Sequence, residues 1–147
     1  MGKTRKLTSH SPEETMEIGE RIGSQLLPNS IIALHGSLGS GKTCLAKGIA
    51  RGLDIEEDII SPSFTLISEY EGRLPLFHMD LYRIEGTEEF EMLGAEEMFY
   101  ADGVSLIEWA EKIEELLPKD HVRIEISIRS DGSRDISLSG SEIGFEL

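Results

Sequence analysis

Gly36-Ser37-Leu38-Gly39-Ser40-Gly41-Lys42-Thr43 follows a short apolar run, Ile31-Ile32-Ala33-Leu34, and opens a stretch of helical periodicity over Lys42–Gly52. It satisfies every fixed position of GxxxxGK(S/T), the Walker A pattern. The chemistry needs these residue types. Glycines let the backbone curl until several N–H groups face one anion. The helix beginning at the end of the loop turns its positive dipole end toward the same point. Lys42 is then in reach of β- and γ-phosphates, and the Thr43 hydroxyl in reach of Mg²⁺. ATP or ADP with Mg²⁺ is the expected cofactor set. Gly36, Leu38, Gly39, Ser40, Gly41, Lys42 and Thr43 are the expected nucleotide contacts. Cys44, one residue further on, reads as a small packing residue whose N–H meets the α-phosphate. The competing reading is a glycine-rich turn between strand and helix, but the flanking elements favour the phosphate loop.

A phosphate-loop hydrolase also needs a carboxylate at the end of a neighbouring strand, to anchor the metal or its water shell. Two segments have that shape. Val104-Ser105-Leu106-Ile107 ends in Glu108, and Leu76-Phe77-His78-Met79 ends in Asp80. The spacing alone does not order them. Glu108 follows the more purely apolar run and is assigned with Thr43 to the Mg²⁺ shell. Asp80 then positions or deprotonates the attacking water. His78 alternates with Asp80, so the two share a face of their strand. It is read as a supporting partner of the site or as a packed histidine. Trp109, the only tryptophan, is a core aromatic by its type, or packs near the nucleotide or a partner. The hydroxyls of Ser61-Pro62-Ser63-Phe64-Thr65 fall where switch segments sense a γ-phosphate. The pattern marks no intrinsic arginine finger. Activation by a partner, or Arg83 or Arg51 acting in cis, would fill that role.

Outward from these motifs, strands and helices alternate, which argues for α/β with a mainly parallel central sheet. Thr4–Ser9 reads as an edge strand. Ser11-Pro12-Glu13-Glu14 is a strong helix start, with a Ser N-cap and Pro at the first helical position. Met16, Ile18, Ile22, Leu26 and Leu27 continue that helix to Pro28-Asn29. Phe64–Tyr70 and Leu74–Asp80 read as a hairpin through Glu71-Gly72-Arg73. Thr87–Tyr100 is helix-prone with a break at Gly94, and Ala110–Leu117 is a short helix stopped by Pro118. His121–Arg129 and Ile136–Ser139 flank a turn at Ser130-Asp131-Gly132-Ser133. The expected architecture is a three-layer P-loop NTPase fold, its parallel sheet extended by antiparallel strands and hairpins, in one domain over 1–147.

The chain has 147 residues, 39% hydrophobic and 29% charged, with a single cysteine. No intrachain disulfide can form, and a reducing, cytoplasmic setting is the simplest expectation. No apolar run is long enough for a membrane span, and the basic N-terminus lacks the apolar centre of a secretory signal. The net charge is −14. Residues 1–51 carry 7 basic and 4 acidic side chains, a net +3; residues 52–147 carry 7 and 24, a net −17. So acidic a chain lacks the basic footprint of a direct nucleic-acid binder. A basic protein partner suits it better, with the acidic stretch Glu85–Glu97 as the candidate surface.

GSLGSGKT, SPSFTL, HMDLYR and LIEWAE, in this order and spacing, resemble the TsaE family, the bacterial ATPases of tRNA threonylcarbamoyladenosine synthesis. The resemblance covers about Ser11 to Glu111. It implies a small P-loop ATPase with weak intrinsic hydrolysis. The implied partners are a TsaD-like transferase and a TsaB-like protein, both of ASKHA fold, with tRNA reached only through that complex. The modified base is adenosine 37 of tRNAs reading codons that begin with A. The resemblance carries nucleotide contacts to Gly39, Ser40, Gly41, Lys42, Thr43 and Cys44, and metal contacts to Thr43 and Glu108. It makes Asp80 the aspartate and Trp109 the tryptophan of the family motifs, and brings residues near Ser11 to the adenine. The family usually has an acid where Ser37 stands, and Thr where Ser63 follows the switch proline. A small-molecule kinase and a non-catalytic nucleotide-gated module remain the alternatives. A kinase would need a lid and an acceptor pocket, for which 147 residues leave little room.

Overall fold

The computed structural model describes residues 3–37, 39–59 and 66–140. The strands are β1 (Lys3–Ser9), β2 (Ile31–Gly36), β3 (Ile67–Tyr70), β4 (Leu76–Asp80), β5 (Val104–Glu108), β6 (Val122–Ile128) and β7 (Arg134–Gly140). The α-helices are α1 (Pro12–Ser24), α2 (Lys42–Gly52) and α3 (Thr87–Met92), with 3₁₀ segments at Ala95–Tyr100 and Ala110–Leu116.

All seven strands join one sheet in the order β1-β7-β6-β2-β5-β4-β3. The central four, β6-β2-β5-β4, run parallel. The flanking pairs β1/β7, β6/β7 and β3/β4 are antiparallel. Strand β2 has a parallel neighbour on each side, so the phosphate loop leaves the sheet among carboxyl ends of strands. Open α/β sheets bind ligands there.

Alternation along the buried strands sorts side chains to two faces. Ile32, Leu34, Leu76, Leu106, Ile124 and Ile136 meet Ile22 and Leu26 of the α1 region and Leu45 and Ile49 of α2. Ile31, Ala33, Phe77, Met79 and Ile107 meet Phe90, Phe99 and Ile113 on the opposite face. Three layers result, as the alternating pattern requires.

Helix α1 starts where the sequence signals it. The Ser11 hydroxyl accepts from the Glu14 N–H at 3.1 Å, and the Glu14 carboxylate accepts from the His10 N–H at 2.7 Å. It ends earlier than the apolar periodicity suggests, at Ser24 rather than at Pro28-Asn29. Leu27 is 70% exposed. The Arg73 guanidinium donates to the Gly23 carbonyl at 2.8 Å and the Leu26 carbonyl at 3.1 Å, satisfying groups that another helical turn would have used.

Helices α1 and α2 touch through backbone. Gly19 and Gly23 of α1 face Gly48 and Gly52 of α2 so closely that a Cβ on Gly48 would lie 2.2 Å from the Met16 carbonyl oxygen. A Cβ on Gly23 would lie 2.2 Å from that of Ile49. The pairing places the first turn of α1 beside the first turn of α2. Phe64 and Thr65 of the expected β3 strand lie outside the described residues, as does the Ser61–Thr65 switch segment. Gly94, with φ of 70°, separates α3 from the following 3₁₀ segment, as its position predicts.

Candidate functional site

The loop between β2 and α2 is shaped by its glycines. Gly39 and Gly41 have φ of 79° and 111°, conformations that side-chain-bearing residues rarely adopt. A Cβ on Gly36 would lie 2.7 Å from both the Ile126 carbonyl oxygen and the Ser40 hydroxyl, so the loop is seated against β6. Gly41 caps α2 with no side-chain bond. The first-turn N–H groups therefore remain for a ligand. Thr43, in that first turn, is exposed. Leu38 lies outside the described residues.

Lys42 opens α2, and its Nζ lies 3.8 Å from Glu108 Oε1 at the end of β5. It also sits 5.5 Å from the ring centre of Trp109. The second Glu108 oxygen is bound by His78 Nε2 at 2.8 Å, and His78 is 2% exposed. Since an ionised carboxylate only accepts, His78 donates from Nε2. Its Nδ1 has no partner among the described residues. Burial works against ionisation of Glu108. The hydrogen bond and electrostatic pull of His78, with the Lys42 ammonium, outweigh it and hold the carboxyl below its ordinary value. The site therefore holds a charged carboxylate at neutral pH.

Asp80 and Glu108 are directly opposite in the register of β4 and β5. Asp80 accepts from the Tyr82 N–H at 3.0 Å, which orients its carboxylate at the strand end. Trp109 follows Glu108 with φ of 61°. That conformation is strained for a bulky residue and is characteristic of functional sites. It swings the indole back over Lys42, leaving it 37% exposed rather than in the core. Tyr82 packs on it at 5.1 Å between ring centres. Lys112 donates to the Tyr82 and Ile84 carbonyls and lies 6.0 Å from the indole centre.

The donor set fits a Mg²⁺ ion held jointly with a substrate. Among the described residues no three His, Cys, Asp or Glu side chains converge on a point, so they form no all-protein cage. Mg²⁺ is usually bound by one or two carboxylates, water and substrate phosphates. An exposed first-turn hydroxyl and one ionised carboxylate match that habit.

On the other side of the loop lies a cavity of ≈ 120 Å³, lined by Ser11, Thr15, Gly41, Cys44, Gly132 and Arg134 among others. Seven of the sequence-predicted site residues fall into two groups. Lys42, Glu108, Trp109 and the opposed Asp80 gather at the strand ends, and Ser11, Gly41 and Cys44 gather around the cavity.

The family model for "Threonylcarbamoyl adenosine biosynthesis protein TsaE" matches residues 9–136. The chain belongs to the TsaE family. The tRNA threonylcarbamoyladenosine biosynthesis protein TsaE of Treponema pallidum is 42% identical over 134 residues, covering 91% of this chain and 99% of that one. Its counterpart in Bacillus subtilis is 42% identical over 146 residues, covering 99% and 91%. The crystal structure of Bacillus subtilis YdiB superposes with a TM-score of 0.84 at 40% identity, covering 97% of this chain and 88% of that one. The P-loop fold and the resemblance read from the motifs are both borne out.

Within this TsaE-family chain, one expectation about arginines changes. Arg51 sits in the last turn of α2, about 14 Å along the helix axis from Lys42 at 1.5 Å per residue. That places it at the far end of the helix from the phosphate loop. Arg134, which no motif marks, instead lies against the loop. Its Nε donates to the Ser40 carbonyl at 2.7 Å. Lys112 and Tyr82 also escaped the motif reading, because Lys112 is held by backbone carbonyls of Tyr82 and Ile84.

Proposed function

We propose that this chain is the Mg²⁺-dependent ATPase of tRNA N6-threonylcarbamoyladenosine formation at position 37. Its hydrolysis cycle supports turnover of a TsaB–TsaD-type transferase complex. The observation that carries this reading is the ionised Glu108, presented by β5 to Lys42 at the mouth of the phosphate loop. A bare nucleotide-gated module would not need a carboxylate kept charged there by a buried histidine.

In this reading Gly36, Leu38, Gly39, Ser40, Gly41, Thr43 and Cys44 cradle the phosphates, and Ser11 borders the base. Lys42 and the loop amides stabilise charge developing on the β- and γ-phosphates, the dominant contribution in phosphoryl transfer. Thr43 and Glu108 would hold Mg²⁺, which would supply charge neutralisation at the phosphates. Asp80 orients the attacking water, its carboxylate fixed by the Tyr82 N–H. Trp109 covers Lys42 from the solvent side. The sheet recruits strands from Lys3 to Gly140, which supports one ATPase domain over 1–147. The acidic stretch Glu85–Glu97, with Met92 and Leu93 exposed, suits a basic partner surface, and tRNA is reached through the partners. The same reading places the protein in the cytoplasm.

The test is phosphate release by the wild-type chain, Lys42→Ala and Glu108→Ala, each with and without a TsaB–TsaD pair. A partner pull-down with and without ATP and Mg²⁺ accompanies it. The expected result is slow release by wild type, stimulated by the pair, and none above background by either variant. A wild-type chain that releases no phosphate under either condition sinks the ATPase reading. A phosphorylated small-molecule acceptor would instead establish a kinase.

A further inference from the structure

Arg134 begins β7, in a hairpin that carries no nucleotide motif, yet it reaches the phosphate loop from 94 positions away. Its Nε donates to the Ser40 carbonyl at 2.7 Å, and its Nη1 donates to the Gly132 carbonyl within its own turn. The second bond holds the guanidinium plane, so the first is directional. Arg134 is half-buried, and among the described residues no carboxylate forms an ion pair with it. Its only anchors there are backbone carbonyls.

A trans peptide points its C=O and N–H in opposite directions. Holding the Ser40 carbonyl on the β7 side therefore turns the Gly41 N–H away from Arg134. Gly41, at φ of 111°, has no side chain to bias its conformation. No side chain caps it, and the atoms nearest to a Cβ there would be Ile126 Cδ1 at 3.2 Å, Arg134 Nε at 3.9 Å and Thr15 Cγ2 at 4.0 Å. Ser40 is fully buried, and its hydroxyl has no partner among the described residues. Side-chain bonding by Ser40 does not set the peptide. The Arg134 bond is the one described interaction outside the loop that orients it.

We propose that Arg134 is a positioning residue for phosphate binding. By gripping the Ser40–Gly41 peptide it presets the Gly41 N–H toward the anion, and it adds a fixed positive charge beside the loop without touching the transferred group. A preorganised donor costs no rearrangement when the ligand arrives. This rests on the nucleotide reading above and assigns the last hairpin a part in it.

The experiment measures Mg²⁺–ADP and inorganic pyrophosphate affinity by calorimetry for wild type, R134Q, R134K and K42A, with melting temperatures taken without ligand. R134Q is expected to weaken both ligands by the same factor, about tenfold, the equivalent of one charge-assisted hydrogen bond. R134K, which keeps the charge and a donor, recovers part of the loss. Melting of the free variants stays close to wild type. If R134Q lowers the melting temperature strongly, the R134K comparison of ADP with pyrophosphate decides. Equal affinity of R134Q and wild type overturns the proposal. So does a loss for ADP with pyrophosphate unchanged, which would make Arg134 a contact of the base side. Wild type that binds neither ligand, indistinguishable from K42A, would fell the nucleotide reading itself.

Discussion

The two flanks of the phosphate loop are built from different materials. On the α1–α2 side the contacts are backbone against backbone, through Gly19, Gly23, Gly48 and Gly52. On the β4–β5 side they are between ionisable and aromatic side chains: His78 with Glu108, Glu108 with Lys42, Lys42 with Trp109, Trp109 with Tyr82. The closest contacts of the first flank are main chain against main chain, which fixes shape. The second holds charges that can change partners and is suited to chemistry. Binding and hydrolysis should therefore respond separately to mutation.

The largest break in that comparison comes from Glu108→Gln. Hydrolysis is expected to fall about 100- to 1,000-fold, the scale of losing one preorganised electrostatic group, while ADP affinity changes far less. Phosphate release and calorimetry on one preparation check both. The same variant has a pH signature. The folded carboxyl titrates below its ordinary 4.5. Its stabilising contribution is thus complete above that value and is lost as pH falls through the lower folded value. Denaturant melts from about pH 6 down to about pH 3 should show Glu108→Gln losing less stability on acidification than wild type.

Gly48→Ala attacks the other flank. A Cβ 2.2 Å from the Met16 carbonyl oxygen forces the helices apart, at a cost of about 1–3 kcal/mol. Urea unfolding should show a lower midpoint with an unchanged slope, and the carboxylate cluster should keep its hydrolytic pH profile. His78→Ala is smaller. It frees one Glu108 oxygen without moving the strand, and hydrolysis is expected to drop about tenfold, the scale for a partner that orients a carboxylate proposed to hold a metal. The smallest effect is Ser11→Ala, which loses the α1 cap and about 1 kcal/mol of stability, read by thermal melting. If Gly48→Ala abolished hydrolysis while leaving the unfolding midpoint in place, the two flanks would not be separable.

Much of this was legible in the sequence because it is local. The apolar runs of β2, β4 and β5, the Ser11-Pro12 start of α1, the break at Gly94 and the phosphate loop are each specified by neighbouring residues. That Asp80 and Glu108 are both candidate acids followed from two apolar runs that each end in one. The convergence of His78 on Glu108 needed the register of β4 and β5, which a single chain does not display. The early stop of α1 depends on Arg73, nearly fifty residues downstream, taking the carbonyls of its last turn. Arg134 was hidden for the same reason, since its partner is a backbone oxygen and leaves no residue-type signature. The strained turn at Trp109 moved an expected core aromatic to the rim, because type alone reports size and not backbone sign.

The glycine seam between α1 and α2 has one more consequence. Side-chain interfaces can drift, since a loss on one helix can be matched by a gain on the other. Here the contact surfaces are carbonyl oxygens and α-carbons, and no substitution on one helix can compensate one on the other. The interval between the first turn of α1 and the first turn of α2 is in effect a ruler cut into the main chain. It sets how far the cavity beside Ser11 lies from the phosphate loop, and so the length of molecule that can lie across both.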